Sequence, residues 1–119
     1  MVTVRIEPPN SVILVVARED FTPPSTFAGR TCAATSDCIA IGVRSVDDGE
    51  TVVSFAAPGQ RPDLMVLGEF VVISEGNLSV RSIYNREHLT AGVEVGAVTV
   101  EVLGNEAAEP DEVVLVIRS

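Results

Sequence analysis

At 119 residues, 46% apolar and 21% charged, the chain has the length and composition of one globular domain, able to bury a core without metal or disulfide. Aromatics are only 4%, with no Trp, so Val, Ile, Leu and Ala must build that core. The net charge of −9 comes from 17 acidic and 8 basic residues, every basic one an arginine, and it argues against nucleic acid or an anionic membrane as partner. A basic protein is the partner such a charge would attract and steer, although solubility alone also accounts for it.

The N-terminus alternates Val2, Val4 and Ile6 with Thr3 and Arg5, the period of a half-buried strand. Pro8 and Pro9 end it, because proline cannot donate to a ladder. The segment lacks the basic start and continuous apolar stretch of a secretory signal. The run VILVVA is far shorter than the roughly 20 residues of a membrane helix. The expected location is therefore cytoplasmic. Residues 11–18, SVILVVAR, are nearly continuous and β-branched, as in a strand buried on both faces. Residues 19–37 show neither period, and room remains there for a short helix or an irregular edge strand.

Two alternating runs follow, Ile39, Ile41, Val43 and then Thr51, Val53, Phe55. The stretch Val46-Asp47-Asp48-Gly49 between them predicts a β-hairpin with its turn at these residues. A second hairpin is expected over 69–84, around Glu75-Gly76-Asn77. Residues 85–96 read as a link. A third hairpin is expected where 97–104 returns through 105–112 into VVLVIR, 113–118. The count is about eight strands without an amphipathic helix, which predicts an all-β, antiparallel β-sandwich, jelly-roll-like, in a single domain over 1–119. VVLVIR or VTVRI at an exposed edge would allow a homodimer.

The carboxylates Asp47, Asp48 and Glu50 have no calcium-loop spacing and read as a solvated turn. Glu106, Glu109, Asp111 and Glu112 form a second acidic turn, and the two make one anionic patch only if both occupy the same end of the sandwich. Phe21, Phe27 and Arg30 supply residue types that anchor interfaces, or else plug the open end of the sandwich. The candidate partner-binding set is thus Phe21, Phe27, Arg30, Asp47, Asp48, Glu50, Glu109 and Asp111.

His88 is the sole histidine, so a multi-histidine metal site is excluded; Tyr84, Arg86 and Glu87 are its neighbours in sequence. Cys32 and Cys38, separated by five residues, do not make a zinc site; two reduced thiols are expected, at least one of them buried beside Ile39. No cofactor, metal site or catalytic residue is expected. The leading expectation is a non-enzymatic protein that binds another protein. The alternatives are a small-molecule-binding sandwich, or an enzyme that uses His88 with Tyr84 or a cysteine.

A Pro-Pro segment (FTPPSTFAG), a central strand pair around GETVVSFA, and FVVISEGNLSVRSI leading to EVGAVTVEVLG run in the same order of strands and turns as in one family. In this the chain resembles the competence protein J family, small β-sandwich proteins of which some inhibit a DNA-entry nuclease. The resemblance covers about 90 residues. It implies a non-catalytic partner protein that masks a basic enzyme. No functional residue is carried over by it.

Overall fold

A computed structural model describes residues 2–118. Among the described residues, ten strands, joined by turns, loops and two short 3₁₀ turns, form two five-stranded sheets. They are β1 (Val2–Ile6), β2 (Val12–Val16), β3 (Cys32–Ala34), β4 (Cys38–Gly42) and β5 (Thr51–Ala56), then β6 (Met65–Ser74), β7 (Asn77–Ser82), β8 (Glu87–Gly92), β9 (Gly96–Gly104) and β10 (Glu112–Arg118). The first sheet has the order β1-β5-β10-β9-β6 and the second β3-β4-β2-β7-β8. All pairs are antiparallel except β5 with β10, which run parallel. The fold is a β-sandwich, as the alternation predicted, with ten strands where about eight were expected.

Alternation is what builds the core. Ile13 and Val15 on β2, Val53 on β5, Leu78 and Val80 on β7, and Leu115 on β10 are completely or almost completely buried between the sheets. The other face of β2 is buried as well, since Leu14 and Val16 join Cys38 and Ala40 in an outer cluster. Connection 17–31 covers that cluster with Phe21 and Phe27. Connection 57–64 does the same for the first sheet, where Leu64 packs on Leu103, Val114 and Val116. Two central strands therefore read as nearly unbroken apolar runs because each is covered on both sides.

Two expected hairpins are not hairpins. Strands β4 and β5 pair in different sheets, so residues 43–50 are a crossover between layers and not a turn within one sheet. Strands β6 and β7 likewise part at Ser74–Gly76 into opposite sheets. Alternation tells which side chains face inward; it does not tell which sheet a strand joins. The third hairpin, β9 to β10, is present with Val113 opposite Gly104. The link 85–96 holds a strand, β8, which pairs with β7. The 19–37 region contains β3, an edge strand. VVLVIR is central in its sheet, flanked by β5 and β9, which overturns its reading as an edge; VTVRI is at an edge.

Candidate functional site

Because β4 leaves one sheet and β5 enters the other at the same end, crossover 43–50 comes to lie beside the tip of the β9–β10 hairpin. The Arg44 amide donates to the Pro110 carbonyl at 3.1 Å, and the Arg44 guanidinium bonds the Asp111 carboxylate. Both acidic turns thus line one shallow cleft of about 320 Å³, formed by Arg44, Asp48, Glu106, Glu109 and Asp111. Four carboxylates surround one guanidinium there.

Local chemistry holds each wall. The Ser45 hydroxyl accepts from the Asp47 amide at 3.3 Å and caps a 3₁₀ turn, Val46–Asp48, whose first turn favours the acidic pair Asp47 and Asp48. Gly49 follows with φ of +124°, a left-handed conformation that favours glycine, while a Cβ there would meet the Arg44 guanidinium only at an ordinary 3.4 Å. In the opposite wall the Asn105 side-chain oxygen accepts from the amides of Asp111 and Glu112, each at 3.2 Å, closing the loop. The Asn105 side chain, and after it Arg44, hold the Asp111 carboxyl below its ordinary range. Asp111 therefore stays charged to a lower pH than an ordinary aspartate.

The eight predicted residues do not form one patch. Asp48, Glu109 and Asp111 line the cleft; Asp47 and Glu50 are exposed on the same crossover but do not line it. Arg30 is exposed one residue before Thr31, whose hydroxyl donates to the Ala107 carbonyl of the hairpin tip, so it flanks the same end. Phe21 and Phe27 are half-buried on the outer face of the second sheet, where they cover strands; they do not plug an open end. Sequence reasoning missed Arg44 and Asn105. An arginine and an asparagine placed at strand ends within acidic turns were the available signal.

A pairing of His88 with a cysteine is not built here. His88 is on β8 at one edge of the second sheet, Cys32 on β3 at the other, and Cys38 on β4. At about 4.8 Å per strand these lie roughly 19 and 14 Å apart. Tyr84 is exposed in the β7–β8 turn. Burial and the nearby Arg86 lower the His88 pKa from its ordinary value. Among the described residues no group of three or more His, Cys, Asp or Glu is placed to hold a metal ion. No helix among them is long and apolar enough to cross a membrane.

The two-sheet arrangement has a counterpart among solved structures. It is similar to the crystal structure of ComJ, inhibitor of the DNA degrading activity of NucA, from Bacillus subtilis. The match has a TM-score of 0.65 and covers 98% of this chain and 94% of that one at 14% sequence identity. At that identity the likeness is one of fold, and it agrees with the resemblance carried by the order of strands and turns. No protein-family model and no curated protein sequence matches the chain.

Proposed function

We propose that this chain is a non-catalytic protein that binds a basic protein partner and restrains it, in the manner of an inhibitor. The supporting observation is the end-to-end likeness in fold to ComJ, itself an inhibitor protein. The acidic cleft between crossover 43–50 and the β9–β10 tip is the surface best suited to a cationic partner. Asp48, Glu109 and Asp111 are its contact carboxylates, with Asp47, Glu50 and Arg30 at the margin. A small molecule held between the sheets is less well supported, because that space is filled by aliphatic side chains.

The test is retention of proteins from a host lysate at low ionic strength by the wild-type chain and by the Asp48→Lys/Glu109→Lys variant. A protein held by the first and lost from the second supports the proposal. If the wild-type chain retains nothing where steering is strongest, the proposal fails.

A further inference from the structure

Strand β6 is the outer strand of the first sheet, ten residues long and paired on one side with β9. Its outward-facing residues are unusual for a lone edge. Val71 is 58% exposed and Ile73 40%, while Val72 between them is fully buried. In the register, Ile73 faces Ala97, itself exposed, and Val71 faces Thr99. Val95, at 78% exposure, stands beside Gly76 at the same end. The covering loop 57–64 reaches Leu103, Val114 and Val116, which leaves the Val71 end of this outer face bare.

The backbone of this edge is closed at Ile73 by the β3–β4 turn and open on the Glu69 side of it. The Ile73 amide points away from β9 and donates to the Ser36 carbonyl at 2.8 Å. In a ladder the pointing alternates, so the Val71 and Glu69 amides also point away from β9. Among the described residues neither finds an acceptor there. Long, flat, apolar edges are the type that other strands join, and natural proteins usually blunt them with bulges or charge. The bulge at Val66/Gly68 blunts only the start of β6.

Charge selects the occupant. The exposed Glu69 carboxylate lies on the same face as the aliphatic ridge and the exposed Glu94 adjoins Val95, while Glu75 is already met by Arg18 at 3.4 Å and Glu101 by Arg118. A second copy would bring the same acids and another −9 against them. We infer that the β6 edge at Glu69–Val71, with the Ile73 side chain beside it, is a docking site for an extended cationic segment of a partner protein. That segment adds as a sixth strand and alternates aliphatic residues with Arg or Lys. Main-chain bonds to Val71 and Glu69 supply affinity, and the carboxylates supply selectivity. This rests on the reading of the chain as a protein-binding module, and it places part of that contact away from the acidic cleft.

The probe is a synthetic peptide of about eight residues alternating Val and Arg, titrated into the isotope-labelled full chain. The expected result is resonance shifts and slowed amide exchange at Glu69 and Val71. Binding should weaken by at least about tenfold in Val71→Lys/Ile73→Lys and persist in Asp48→Lys/Glu109→Lys. The inference is overturned if the shifts map to the cleft, if none occur, or if a Val/Glu peptide binds as well. It is equally overturned if the same amides become protected by concentration alone, with a dimer in sedimentation, for then a second copy is the occupant. The peptide reads the edge alone, so its failure leaves the lysate experiment to decide the broader proposal, and the reverse also holds.

Discussion

Arg81 Nη2 lies 3.0 Å from Glu19 Oε1, and the pair joins a strand of the second sheet to the connection that covers it. The Arg81 side chain is only 8% exposed, and it also donates to Ser79 Oγ and Asn85 Oδ1 at 2.8 Å each. Its guanidinium carbon is 5.9 Å from the centroid of Phe21. The Glu19 side chain, by contrast, is 80% exposed. A buried cation with several acceptors contributes far more than either of its solvated carboxylates, Glu19 or the more distant Glu87 at 3.9 Å. Arg81→Ala is expected to cost about 1.5–3 kcal/mol through lost charge-assisted bonds, and Glu19→Gln less than about 1 kcal/mol. Urea midpoints of the two variants check this; equal losses would refute it.

Gly104 and Gly42 make a paired test of close packing. A Cβ on Gly104 would come within 2.6 Å of Leu67 Cδ1 and 3.3 Å of Pro110 Cβ, inside the base of the hairpin that carries the acidic tip. Gly104→Ala should cost about 1–3 kcal/mol by overpacking. On Gly42 the nearest atom would be the Thr31 carbonyl oxygen at 3.5 Å, an ordinary contact. Gly42→Ala should fall within about 0.5 kcal/mol of wild type. Thermal or urea unfolding of both variants measures the difference.

The sequence showed the layers more clearly than the connections. Period-two patterning marked Ile41 and Val53 as inward, and both are fully buried. It could not show that they belong to different sheets, because a turn such as Val-Asp-Asp-Gly serves a crossover as well as a hairpin. That single ambiguity also hid the candidate site. Only when 43–50 passes between layers do Asp48 and Asp111 line the same cleft. Strand β8 was unreadable for another reason: Glu87-His88-Leu89-Thr90 shows no alternation, lies at an edge where the register shifts at Val80/Arg81, and half of β8 is polar. Phe21 and Phe27 were legible as unusual, but covering an outer face and anchoring a partner leave the same trace in sequence.

Asp111 makes the acidic end sensitive to acid. Its carboxyl is held low in the folded chain by Asn105 and then Arg44, and in the unfolded chain it returns to its ordinary 3.8. As pH falls below that value the unfolded state takes up the proton first, so the contribution is present above 3.8 and is lost on further acidification. Asp63, held low by Arg61, contributes over the same range. Asp111→Asn should therefore lose stability at pH 7 and show a shallower further loss between pH 5 and pH 2 than wild type. Urea midpoints across that range test it, and parallel curves would contradict the role given to Asp111.

The cysteines report on the two buried layers independently. Cys32 faces the core between the sheets, whereas Cys38 faces the outer cluster under connection 17–31, and both are free thiols. Side chains on opposite faces of a sheet cannot be joined without rebuilding the strands. Burial pushes Cys32 up to about 11; for Cys38, burial and then Asp37 push it up to about 12. In the unfolded chain both thiols titrate near 9.0. Between that value and the folded ones the unfolded state holds fewer protons, so the thiols' contribution to stability is constant below about pH 9 and falls as pH rises through the window. The Cys32→Ala/Cys38→Ala variant should lose this part of the alkaline decline, visible as a difference between its urea midpoints and those of wild type from pH 8 to 11. At pH 8 an aromatic disulfide reagent should label neither thiol of the native chain within minutes and both after denaturation. Rapid labelling of Cys38 alone would show that connection 17–31 does not stay on its sheet.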